Sequence, residues 1–103
     1  MISPQTAEIV KQGLIQVIEN PAGTGASAKI EGIPMLGKTG TAEIKEAQDS
    51  TEGVERGWFI CETLEGVERP LAVVGMVEDV KPHGGSGYVT AKVRAIVEQY
   101  YGK

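Results

Sequence analysis

Cysteine, histidine, tryptophan and phenylalanine each occur once in these 103 residues, and Asn20 is the only asparagine. With Cys61 alone, no internal disulfide can form, and one histidine beside one cysteine cannot build a Cys- and His-rich metal set. No metal or other cofactor is therefore expected. An excess of basic residues is missing too. The formal net charge of -4 argues against a phosphate-backbone partner, which needs clustered Lys and Arg, so no nucleic-acid binding is expected. Long apolar runs are absent: Leu71 to Val77 falls far short of the about 20 residues that cross a bilayer. Nothing at the start reads as a secretory leader, a property that an internal segment of an exported protein would share.

What is present is ordinary for a soluble globular chain. The hydrophobic share is 41% and the charged share 23%, and the length allows one segment, 1–103, with a modest core and no second domain. Ser3-Pro4 is a helix start and Asn20-Pro21 a helix stop. Between them Ala7, Val10, Leu14, Val17 and Ile18 recur at helical spacing, which predicts one face packed on something flat and apolar. Pro21 to Ser27, rich in Gly, Ala and Thr, is a loop.

Met35 to Ile44, Gly57 to Leu64 and Leu71 to Val77 read as three strands, the last two joined as a hairpin through Glu65-Gly66 to Arg69-Pro70. The third run is apolar almost throughout, which predicts a strand covered on both faces. After the turn at Pro82-His83-Gly84-Gly85, Val89, Val93, Ile96, Val97 and Tyr100 mark a second helix ending near Gly102. The pattern predicts an α+β fold: an antiparallel three-stranded sheet flanked by an N-terminal and a C-terminal helix, in the order helix-strand-strand-strand-helix. Glu43, Glu46, Asp49, Glu52 and Glu55 gather in a Gly- and Ser-containing stretch and read as a solvated loop. His83 reads as a surface turn residue, and Trp58, Phe59 and Cys61 as strand residues of the core, with Trp58 the one that would border a cleft if any does.

Gly37-Lys38-Thr39-Gly40-Thr41-Ala42-Glu43 is the most informative stretch, and two chemistries compete for it. Gly32 to Thr39 satisfies the spacing of a phosphate-cradling loop, two glycines followed by Lys and Thr, and Glu78-Asp79 imitates an acidic strand end. Such a loop must leave a buried strand and open into a helix whose N-terminus faces the anion. Ser27 to Glu31 is no hydrophobic strand, Gly40 interrupts the first turn of any following helix, and Ala42, Ile44 and Ala47 give no coherent apolar face. The nucleotide reading fails on that context.

The alternative is an extended strand. Lys38-Thr39-Gly40 resembles the Lys-Thr-Gly motif of penicillin-binding proteins and serine β-lactamases. Thr41 extends it to Lys-Thr-Gly-Thr, Ala42-Glu43 continues as in many transpeptidases, Gly37 precedes it as is usual there, and Gly57-Trp58-Phe59 is similar to the start of the family's next strand. The resemblance runs from the Ser3-Pro4 helix to Tyr101. It implies the C-terminal part of a transpeptidase domain, the last three of five sheet strands, with the terminal helix on one face and the Ser3 helix on the other.

The resemblance also implies a function: peptidoglycan D,D-transpeptidation on D-Ala-D-Ala stem peptides, with β-lactams as acylating ligands. The complete protein would act at the extracytoplasmic face of the bacterial cell membrane. Lys38 would place positive charge near the substrate carboxylate and the catalytic hydroxyls, the Thr39 and Thr41 hydroxyls would hydrogen-bond that carboxylate, and side-chain-free Gly40 would let substrate lie against the strand. The Thr41 N–H would be one oxyanion donor.

The family's nucleophile, a Ser three residues before a Lys, is missing: Thr6, Ile30, Gly53 and Val89 follow Ser3, Ser27, Ser50 and Ser86 at that distance. Its Ser-x-Asn element is missing as well, since Ile18 precedes Asn20. The chain alone is therefore expected to be inactive. A β-lactamase or β-lactam sensor of the same superfamily, or a non-catalytic binding module, are the competing expectations. Loss of two neighbouring strands predicts self-association through the exposed edge of the third strand.

Overall fold

The computed structural model describes residues 2–44, 53–64, 66–67 and 69–102. Ser3 caps helix α1 (Pro4–Glu19) by accepting a hydrogen bond from the Thr6 N–H at 3.1 Å, and Pro4 fills a first-turn position where no N–H is needed. The helix stops at Asn20, whose side-chain oxygen accepts the Ala22 N–H at 2.9 Å and turns the chain. A short 3-10 turn at Ala26–Ala28 leads to strands β1 (Met35–Ile44), β2 (Val54–Thr63) and β3 (Ala72–Val77). Helix α2 (Gly87–Tyr101) closes the fold and ends at Gly102, whose φ of 71° lies in the left-handed region that glycine adopts freely. The sheet is antiparallel with order β1-β2-β3, so β1 and β3 are both edges. The α+β class and element order are those expected. The second strand begins earlier than Gly57 and the third one residue after Leu71.

The register assigns the two faces. Gly37 and Thr39 lie opposite Cys61 and Phe59, which lie opposite Val73 and Gly75 in turn. This is the core face, where Phe59 is wholly buried beside Ile18 of α1 and Val89, Val93 and Val97 of α2. Two glycines let the helices come close: a Cβ on Gly37 would sit 3.0 Å from the Ile18 side chain, and one on Gly75 2.6 Å from that of Val93. Both helices therefore cover the same face, correcting the expectation that they flank opposite ones. The connection explains it. The Gly25 N–H donates to the Val17 carbonyl and Ala28 enters the core, so the chain re-enters the sheet on the side where α1 already lies.

Two apolar patterns are only half used. On α1 the end carrying Val17 and Ile18 packs, whereas Ala7 is exposed and Val10 is 50% exposed. On β3, Val73 and Val77 pack on the core, but Val74 (68%) and Met76 (62%) are exposed, together with Ile60 of β2 (43%). The expectation that β3 is covered on both faces is overturned, because among the described residues nothing lies over that second face. On α2, Val89, Val93 and Val97 are buried as expected and Ile96 is not. Thr90 is also wholly buried, its hydroxyl donating to the Ser86 carbonyl at 3.2 Å.

Two ties hold the connections. The Arg69 guanidinium donates to the Tyr100 carbonyl at 3.0 Å and lies over the Tyr100 and Tyr101 rings, while the Tyr101 hydroxyl donates back to the Arg69 carbonyl. Past β3, Asp79 accepts the Glu55 and Lys81 N–H groups at 3.1 and 3.2 Å. Buried Val80 then packs over Gly57, where a Cβ would lie 2.7 Å from it. Glu46, Asp49 and Glu52 of the acidic stretch, and Glu65 of the hairpin turn, lie outside the described residues.

Candidate functional site

Residues 38 to 41 are extended within β1 and paired residue for residue with β2, Lys38 opposite Ile60 and Thr41 opposite Gly57. A strand here, with Ile30 and Ile33 bridged across the Glu31-Gly32 turn before it, leaves no loop opening into a helix N-terminus, so the phosphate-loop geometry is absent. No other strand among the described residues pairs with the outer side of β1, which leaves a backbone edge open to an extended ligand.

Alternation distributes the motif around that edge. Lys38 stands exposed on the open face of the sheet, its ammonium folded back to donate to the Thr39 carbonyl at 2.6 Å. Thr39 points to the core face, is 6% exposed and donates its hydroxyl to Thr24 at 2.9 Å, which ties β1 to the loop after α1. Thr41 follows Thr39 in alternation but is exposed. Lys38 and the two threonines thus flank the edge from opposite sides rather than forming one row.

On the open face Trp58 lies directly over Gly40: a Cβ there would fall 2.4 to 2.5 Å from three indole atoms. Arg56 stands on the same face opposite Ala42, its Nε without a hydrogen-bond partner among the described residues. Trp58, expected among the core residues of the strand or at the border of a cleft, lies instead on the open face against Gly40, a contact that the sequence does not reveal, and the partnership of Thr24 with Thr39 was missed as well. Gly23-Thr24-Gly25 was visible only as a loop, and nothing local in it points to a partner 15 positions further on.

Other candidates fall away. Burial pushes the Cys61 thiol up to about 11, against an ordinary value of 9.0, so it stays protonated and unreactive at neutral pH. His83 is exposed and stacks on Tyr88 with 4.0 Å between ring centroids. No cluster of three or more His, Cys, Asp or Glu among the described residues could hold a metal ion. A cavity of about 300 Å³ lies between Glu19, Lys29 and the turn up to Pro34. It contains none of the motif residues, and Lys29 there is engaged by Glu19 at 3.0 Å, a pairing that raises the lysine's pKa.

The family described as penicillin binding protein transpeptidase domain matches residues 1–98. The chain belongs to this transpeptidase family. It is 35% identical over 94 residues to Penicillin-binding protein 3 of Bacillus subtilis (strain 168), a match covering 91% of this chain and 14% of that protein. The transpeptidase segment therefore spans about a seventh of its relative's length. Within it, the Lys-Thr-Gly-Thr stretch is an edge strand backed on one side by two helices and on the other by one indole ring. No helix among the described residues is long and apolar enough to cross a membrane.

Proposed function

We propose that this chain is the C-terminal part of a peptidoglycan D,D-transpeptidase domain and supplies its substrate-binding strand. The observation that carries the reading is an exposed lysine on an extended edge that no other described strand pairs, within a chain of the transpeptidase family. A D-Ala-D-Ala stem peptide, or a β-lactam imitating it, lies along β1. Lys38 brings positive charge to its carboxylate and to the catalytic hydroxyls. Thr41 offers its hydroxyl to the same carboxylate and its N–H to the oxyanion, a donor whose loss costs about 3 kcal/mol of transition-state stabilisation. Gly40 keeps the strand low enough for the ligand, and Thr39 joins by turning its hydroxyl from Thr24 to the carboxylate.

The nucleophilic serine and its lysine reside elsewhere in the complete protein, which works at the extracytoplasmic face of the bacterial membrane and cross-links the cell wall. By itself the chain is inactive and self-associates through the β3 edge. Labelled penicillin tests the first part: the isolated chain stays unmodified, and the longer protein carrying it is acylated. Lys38→Ala slows that acylation about 100-fold, corresponding to the loss of a charge-assisted contact. Covalent label on the isolated chain, or an unchanged rate in Lys38→Ala, refutes the assignment.

A further inference from the structure

We propose that Gly40 is a glycine because the Trp58 indole occupies the space over it, and that Trp58 is a positioning residue for the Lys38–Thr41 strand. The proposal rests on reading β1 as the ligand-binding strand. The familiar reason for a glycine at this point is access, since a bare backbone lets a ligand approach. The geometry points to a different cause. A Cβ on Gly40 would lie 2.4 Å from Cε2, 2.5 Å from Cζ2 and 2.5 Å from Nε1 of Trp58, closer than real Cβ contacts come. The atoms it would strike belong to a rigid bicyclic ring, which cannot yield as the end of a flexible chain does.

The other motif glycine makes a contrast. Gly37 faces the core, where a Cβ would meet the Ile60 carbonyl at 2.9 Å and the side chains of Ile18 and Phe59. One glycine thus admits helix α1 on the inner face, and the other admits the indole on the outer. Among the described residues only β2 pairs with β1, so the edge strand is located by that single ladder and by what lies across it. An indole laid on the backbone at Gly40, between the Lys38–Ile60 and Ala42–Arg56 pairs, fixes the height of the strand where the Thr41 N–H must meet its ligand. Trp58 acts through the backbone and need not touch the ligand.

A double-mutant cycle separates this from ligand access. Gly40→Ala is expected to lower the folding equilibrium of the chain about tenfold, in the range of overpacking substitutions, and to red-shift the emission of its only tryptophan. In the Trp58→Ala background the same substitution changes the folding equilibrium by less than about twofold, because the collision is gone. If Trp58→Ala does not fold, Trp58→Val serves instead.

Acylation of the longer protein by labelled penicillin, measured well below the unfolding temperature, follows the same pattern. Gly40→Ala reduces the rate about tenfold, and adding Trp58→Ala restores it to that of Trp58→Ala alone. An equal folding loss in both backgrounds, or an unshifted emission, overturns the steric assignment. A cycle that cancels in folding but not in acylation assigns Gly40 to ligand access and overturns the positioning role. If the unsubstituted longer protein is not acylated at all, the proposed function fails, while the folding cycle still decides the steric claim.

Discussion

Thr39 shows how far a motif can be followed residue by residue. Its place in an extended Lys-Thr-Gly-Thr stretch was legible, because glycine spacing and the lack of a helical face exclude the loop alternative. Its direction was not. Alternation states that Lys38 and Thr39 point apart, but only the settling of both helices on one face decides which of them is buried. Thr39→Val removes the bond to Thr24 while keeping the shape, and is expected to cost about 1 kcal/mol in urea unfolding. A cost near zero would mean that the loop is held without it. Cys61 makes a second prediction. Its folded thiol, raised to about 11, keeps its proton while the unfolded thiol loses its own near 9.0. The contribution is therefore complete below pH 9.0 and is lost as pH rises towards 11. Stability should fall through that window more steeply in the native chain than in Cys61→Ala, a difference read from denaturant titrations at each pH.

Elements were legible where their ends carry chemistry of their own. Ser3-Pro4, Asn20 and Gly102 bound the helices as read, because caps act locally. Coverage was not legible, because an apolar run records that a side chain tolerates burial and not that a partner layer is present. Val10 on α1 and Val74 and Met76 on β3 fit apolar patterns and are exposed all the same. The tie between the β2–β3 connection and α2 was hidden for another reason: Arg69 and Tyr100 are 31 positions apart, and only the folded chain brings them together. Arg69→Ala removes one hydrogen bond and two cation–π contacts, and at an exposed site this is expected to cost about 1 kcal/mol. Thermal unfolding checks the loss, and faster amide exchange at the Thr63 and Leu71 N–H groups would locate it.

In the whole molecule the two helices stack on one side of the sheet and leave Ile60, Val74 and Met76 uncovered on the other. An apolar sheet surface beside a strand edge that no described strand covers is what the proposed self-association would use. Val74→Lys with Met76→Lys is expected to shift the chain from larger species to monomer in sedimentation velocity across a hundredfold range of concentration, without loss of helical circular dichroism. Native chain that sediments as a monomer throughout would end that expectation. The Arg69 tie reaches further than its size. Trimming the chain before Tyr100 would take away a carbonyl and a hydroxyl that steady a hairpin made some thirty positions earlier, so a cut at one tip should loosen a bend at the far margin of the sheet.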